Sequence, residues 1–302
     1  MQSIPFFALL GTALKKTAAF LKHSRGLLAA LVIFITVFAD PAAGSTDSAR
    51  LVAEDMQTLA DAGFMGQGLT NDGTYYYTCG AFAPIKFTMI AKYEIGTLQR
   101  VRYRLFPVGM DMIRAGYDHI GGISYYNGKI YAGVESSDYQ TPPCIAVYNA
   151  DTLRFETSYV LPLEKFPDGC PFVAVDPQTG LLYTCAWSNA PCMYVYDTKA
   201  DMAYVQRIDA VGASALDRIQ GGEFYNGTLY LSHDKKDGTP VDEILSFDPE
   251  TGEVQVVMVR DVGKAENETE DLTVFPAADG SLFHVADYNK TVSMYLRHYA
   301  AS

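Results

Sequence analysis

The side chains best suited to chemistry are carboxylates and imidazoles that recur along the whole chain instead of gathering in one motif. Asp118, Glu135, Asp168, Asp217, Asp234, Glu270, Asp271 and Asp287 supply oxygen ligands, the donors a hard cation takes, calcium above all. His119 and His233 sit beside members of this set. The only tryptophan, Trp187, offers a stacking platform for a ring-shaped ligand or a large side chain for the core. Gln67, Gln220 and Arg218 add amide and guanidinium groups. The sequence holds no GxSxG elbow, P-loop, HExxH or dinucleotide fingerprint, so a site must be assembled from distant segments.

Distant residues act together only if the architecture brings them together, and this chain repeats. Asp118-His119-Ile120-Gly121-Gly122 leads to Tyr126-Asn127-Gly128-Lys129-Ile130-Tyr131. Asp217-Arg218-Ile219-Gln220-Gly221 leads, at the same spacing, to Tyr225-Asn226-Gly227-Thr228-Leu229-Tyr230. Asn-Gly between β-rich runs is a strong hairpin signal. Weaker copies cover 67–79, 171–185 and 271–287. Superposing them puts Tyr77, Tyr131, Tyr183, Tyr230 and Phe283 at one position, about 50 residues apart, the size of a propeller blade. Third and fourth strands follow each hairpin, as at 145–148 and 155–161. The expectation is an all-β propeller of about five four-stranded blades, with six as the alternative, over residues 45–302. The last copy supplies only three strands. The segment Ala49–Leu59 is therefore expected to close the ring as an N-terminal strand, although Leu51, Val52, Met56 and Leu59 alone read as a helix face.

In a propeller the starts of inner strands and the ends of second strands share one face, because the two are antiparallel neighbours. This places Gln67, Asp118, His119, Asp168, Asp217, Arg218, Gln220, Glu270 and Asp271 at one channel mouth. Glu135, Trp187, Asp234 and Asp287 join them, with His233 adjacent. The convergence reads as a cation or ligand site, or as a solvated acidic rim. The five cysteines sort to the same face. In an exported protein they are expected to pair, with Cys185–Cys192 and Cys170–Cys185 as competing disulfides and at least one thiol free or joined to another chain. No CxxC or HxxxH spacing supports a soft-metal site with His119 or His233.

The N-terminus carries Lys15, Lys16, Lys22 and Arg25, then an apolar run from Gly26 to Ala39, then small residues Ala42-Ala43-Gly44. That order is a secretory signal, or a signal anchor if uncleaved, over residues 1–44. The expected location is secreted, periplasmic or extracellular, with membrane contact only through this segment. Asn226, Asn267 and Asn289 head glycosylation sequons. The net charge of −12, more acidic still beyond the leader, argues against nucleic acid as a partner.

Phe64-Met65-Gly66-Gln67-Gly68-Leu69, followed by Asp72-Gly73-Thr74-Tyr75-Tyr76, resembles the first blade of the five-bladed glutaminyl-peptide cyclotransferases. That family shows Gly-Glu-Gly in its second blade, where this chain has Gly121-Gly122-Ile123, so cyclisation chemistry is not carried over. The Asn-Gly-x-Ile/Leu-Tyr hairpins are similar to those of gluconolactonase-type propellers. That resemblance implies a divalent metal, calcium, held by Glu135, Glu270, Asp271 and Asp287 in a lactonase or esterase, with His119 or His233 as general base. The leading expectation is instead an exported propeller that recognises a small molecule, peptide or glycan at the channel mouth. Gln67, His119, Glu135, Trp187, Gln220 and His233 are its contact residues. A structural or interaction propeller is the third reading, since the fold alone does not choose.

Overall fold

The computed structural model describes residues 50–57, 64–82, 87–212, 216–235, 241–262, 267–289 and 293–301. All fall within one unit, Asp47–Ser302. The basic and apolar leader, with its boundary at residue 44, lies outside the described residues. Among them no helix is long and apolar enough to cross a membrane.

Among the described residues, twenty strands build a five-bladed β-propeller and a short twenty-first is added to one edge. The first, β1 (Leu51–Gln57), is far in sequence from its partner. Blade 1 is β2 (Leu69–Asn71), β3 (Tyr75–Phe82), β4 (Phe87–Glu94) and β5 (Arg100–Leu105), followed by a short helix, α1 (Gly109–Arg114). Blade 2 is β6 (His119–Tyr126), β7 (Lys129–Glu135), β8 (Cys144–Asn149) and β9 (Phe155–Val160). Blade 3 is β10 (Ala174–Val175), β11 (Leu181–Thr184), β12 (Cys192–Asp197) and β13 (Ala203–Asp209). A two-residue strand, β14 (Val211–Gly212), then runs parallel to the outer edge of blade 4. Blade 4 is β15 (Ile219–Tyr225), β16 (Thr228–His233), β17 (Asp242–Phe247) and β18 (Glu253–Arg260). Blade 5 is β19 (Asn267–Val274), β20 (Phe283–Asn289), β21 (Ser293–Tyr299) and, as its outer strand, β1.

The N-terminal strand closes the ring as expected, pairing antiparallel from Leu51↔Tyr299 to Gln57↔Met294. Its helical spacing is overridden because the β21 edge would otherwise stay unpaired. At the tightest hairpins both turn residues adopt positive φ, Asn127 at 49° with Gly128 at 76° and Asn226 at 51° with Gly227 at 85°. This is the turn that Asn-Gly favours and that matches strand twist. The five aligned aromatics all lie in second strands.

The core is five apolar clusters, one at each blade-to-blade interface. Tyr77, Ile90, Ile120 and Ile130 join blades 1 and 2. Ile145, Val147, Val173 and Leu182 join 2 and 3. Tyr183, Val195, Phe224 and Leu245 join 3 and 4. Ile244, Met258, Leu272 and Val285 join 4 and 5. Leu69, Tyr76, Met89, Met294 and Leu296 complete the circuit from 5 to 1. Sheet-on-sheet burial all round the circle holds the blades at fixed angles, so residues at the blade ends meet at a defined mouth.

Two expectations are corrected. The five cysteines are all buried free thiols, and the β-pleat explains why neither disulfide forms. Thr184 faces Tyr194 across the pair, so Cys185 follows on the side of Met193, its partner in the cluster between blades 3 and 4, and opposite to Cys192. Cys170 packs in the other cluster, between blades 2 and 3, where its Sγ lies 3.2 Å from Thr184 Oγ1. Of the sequons, Asn226 is in an exposed turn. Asn267 and Asn289 are buried cross-strand partners, with Asn289 Nδ2 donating to Asn267 Oδ1 at 3.2 Å.

Candidate functional site

The channel is blocked by a carboxylate. Asp271, in β19, is fully buried and projects to the axis. Its Oδ2 accepts from the Leu69 N–H of blade 1 and the Ile123 N–H of blade 2, both at 2.9 Å, and its Oδ1 accepts from Leu272 N–H at 2.8 Å. The Gly222 N–H of blade 4 is a further donor. Burial pushes its pKa up against the pull of these backbone donors. The inner strands come this close because they carry glycine where they pass the axis. A Cβ on Gly221 would land on the Asp271 carboxylate, and one on Gly122 would press on Oδ2 at 3.2 Å.

Above this plug, a chain of side chains runs round the mouth. Glu270 Oε1 accepts from Gln67 Nε2 at 3.2 Å. With its nitrogen turned to that carboxyl, Gln67 offers Oε1 to His119 Nε2 at 2.7 Å, so the imidazole carries a proton there. His119 Nδ1 lies 3.1 Å from Glu135 Oε1, and Glu135 Oε2 accepts from Cys170 N–H at 2.8 Å. The chain thus links blades 5, 1, 2 and 3. Burial lowers the His119 pKa, but the bond to Glu135 and the charges of Glu135, Asp118 and Glu268 outweigh it, and the net shift is upward. Glu270 is pushed well above the usual carboxylate range by burial and then by Glu268, Asp234, Asp287 and Asp271.

Gln67, His119, Glu135, Trp187 and Gln220 line one cavity of about 230 Å³, together with Ser137, Tyr139, Pro171 and Glu268. The Arg218 guanidinium lies over Trp187, 5.0 Å from the ring centre. Arg218 in turn ion-pairs with Asp234.

The remaining acids of the expected set brace loops or blades. Asp118 Oδ1 accepts from Ser137 N–H at 2.9 Å, and Asp168 accepts from Trp187 N–H at 3.1 Å and Ser188 N–H at 2.9 Å. Asp217 accepts from Asn189 N–H at 2.8 Å, which ties blade 4 to the loop of blade 3. Asp287 is fully buried between Arg260 Nη2 at 2.5 Å and Arg297 Nη1 at 2.8 Å. Arg297 also reaches Glu54 of β1 at 2.6 Å. His233 stands away from the cavity, with Nδ1 3.2 Å from Glu243, and burial lowers its pKa.

The donor set does not fit calcium. Asp271 is ringed by N–H donors, Asp287 by guanidiniums, and Glu135 by an imidazole and an N–H, all groups that face oxygens a cation would need. Among the described residues no three His, Cys, Asp or Glu side chains converge to hold a metal ion. The structure therefore separates Glu135, Glu270, Asp271 and Asp287 into different duties.

Sequence reasoning missed Ser137, Tyr139 and Glu268. The first two lie in the loop beyond the strand end at Glu135, where repeat alignment stops. Glu268 is two residues before Glu270, hence on the same side of a strand, and that alternation was a usable signal.

No protein-family model matches the chain, and no curated protein matches it. Among solved structures, it is similar to Kuenenia stuttgartiensis hydrazine synthase at 14% identity and a TM-score of 0.40, over 83% of this chain and 59% of that one. A chain of the mitotic checkpoint complex matches at 9% and 0.42, over 89% of this chain and 98% of that one. The Dos1 propeller matches at 12% and 0.39, over 76% and 67%. At these values the likenesses carry no argument about activity; the chain is a five-bladed β-propeller on the order of its own strands.

Proposed function

We propose that this is an exported propeller whose channel mouth binds a small polar ligand. The observation that carries the reading is the cavity itself. Five residues from blades 1 to 4 (Gln67, His119, Glu135, Trp187 and Gln220) converge on one concave space. Its polar groups are held in place by the chain from Glu270 to Cys170. Preorganised donors and acceptors beside an aromatic wall are what a ligand site requires and what blade packing does not. At about 230 Å³ the space is below the ~300–1,000 Å³ typical of drug-sized ligands, so it suits a single sugar, amino acid or comparably small molecule. Export is supported by the basic-then-apolar order of the N-terminus.

The test is a thermal-shift screen of the 45–302 chain against sugars, amino acids, amines and short peptides. A ligand that raises the Tm of the parent protein, but not of Trp187→Ala or Gln220→Ala, supports the site. A screen with no stabilising compound, or shifts untouched by both substitutions, overturns it.

A further inference from the structure

The charges of the mouth are answered within the protein. His119 lies 3.1 Å from Glu135, and Arg218 pairs with Asp234. Glu268 also has a partner. Glu270 and Asp271 lie buried behind them, and burial pushes both well above the usual carboxylate range, toward the uncharged acid. A charged ligand would therefore leave water without meeting an unmatched group of opposite sign, a cost that an uncharged ligand avoids.

The aromatic walls carry a second signal. Tyr139 borders the cavity with a φ of 53°, a left-handed backbone that a bulky residue rarely adopts and glycine takes freely. Arg218 has the same kind of backbone, φ 52°, but its guanidinium ion-pairs with Asp234 and lies over Trp187. For Tyr139 the fold supplies no such reason. Its side chain is 41% exposed, its hydroxyl bonds to no described residue, and its ring stacks on none of them. Strain kept where the fold gains nothing by it points to a residue held ready for a ligand.

We propose that the mouth takes an uncharged sugar ring, with Tyr139 and Trp187 against its C–H faces and Gln220 bonding its hydroxyl rim. This rests on the reading of the mouth as a binding site. The C–H hydrogens of a pyranose are weakly positive and match the negative face of an aromatic ring. Each sugar hydroxyl donates and accepts, as does the Gln220 amide, which makes no side-chain hydrogen bond to the described residues. The cavity of about 230 Å³ has room for one such ring.

The single tryptophan makes the test direct, because it lines this cavity and its fluorescence can be excited selectively. Glucose, galactose and mannose are titrated, each beside its uronate and, at mildly acid pH, its 2-amino sugar. At least one neutral sugar is expected to give a saturable change, with both of its charged counterparts at least about tenfold weaker. Tyr139→Gly, which keeps the reporter, is expected to weaken that sugar by at least about tenfold and to leave the Tm of the free protein level or raised. Tyr139→Phe, which keeps the ring, should hold the affinity within about threefold. A charged counterpart that binds as well as the neutral sugar overturns the proposal, and so does unchanged affinity in Tyr139→Gly. A fall in Tm for Tyr139→Gly would make the ring a structural wedge and overturn its role. If no sugar binds but another screened compound shifts Tm in a Trp187-dependent way, the sugar falls and the mouth remains a binding site. If no compound of any kind binds, both readings fall.

Discussion

His284 and His298 face each other across β20 and β21 with their Nδ1 atoms 2.6 Å apart. The outer nitrogen of His284 lies 2.9 Å from the Phe275 carbonyl, which can only accept, so its proton sits on Nε2. Its Nδ1 must then accept, and His298 donates. Burial is the main reason the His284 pKa falls to about 4, and a second proton there would set two N–H groups against each other.

The sign of the pH dependence follows. The unfolded chain binds a proton at this histidine near pH 6.5 and the native protein only near 4, so stability is present above 6.5 and lost as pH falls between the two. The loss is expected to reach about 3 kcal/mol. Urea unfolding at stepped pH, for the parent and His284→Gln, measures it. The variant should show the shallower acid slope, and equal slopes would refute the assignment.

Asp271 ties blades 1, 2, 4 and 5 at the axis, so its loss should be felt globally. Asp271→Ala leaves several buried N–H groups without an acceptor and is expected to cost at least about 3 kcal/mol. Gly221→Ala is expected to be comparably damaging, because its new methyl meets that carboxylate. Combining Gly221→Ala with Asp271→Gly should cost clearly less than the sum of the single changes, and strict additivity in a double-mutant cycle would sink the account.

Chelation should leave the fold untouched. With Asp271 and Asp287 enclosed by N–H and guanidinium donors, EDTA is expected to move the Tm by less than about 1 °C, and calcium add-back likewise. A drop that calcium restores would show an oxygen-ligated site that this geometry does not provide.

The thiols offer a counting experiment. A thiol reagent should label almost no cysteine in the native protein and five after denaturation, and reductant should leave the Tm unchanged. Burial pushes the Cys144 thiol up to about 12 and Cys170 higher still, so neither has thiolate with which to react. Fewer than five labelled after non-reducing denaturation would reveal a disulfide.

The architecture was legible because it is periodic. Asn127-Gly128 and Asn226-Gly227 fixed the hairpins, the aligned tyrosines fixed the blades, and an incomplete last copy called for the strand at 51–57. Face sorting also found Gln67, His119, Glu135, Trp187 and Gln220, since position within a repeat determines position in a ring. It could not tell which acids stay available. Asp118, Asp168, Asp217, Asp271 and Asp287 share a face with Glu135, and what separates them is which N–H or guanidinium each meets. That depends on loop paths and inter-blade approach, with no signature in spacing. One inner strand is also shorter than the repeat suggests. Around Pro171, which lacks an N–H, the carbonyl of that residue serves Gly122 of blade 2 instead of its own hairpin.

The pairing of β1 with β21 sets a timetable for synthesis. Glu54 and Arg297 are 243 residues apart, so the strand made first must wait, unpaired, until nearly the whole chain exists. Every earlier interface can assemble blade by blade from neighbours in sequence, whereas this one carries the full loop-closure entropy and forms last. Translation errors or proteolytic clipping near residue 290 would therefore leave two open edges at once, one at each end of the ribbon. The final strand pairing works as a check that synthesis has reached at least β21.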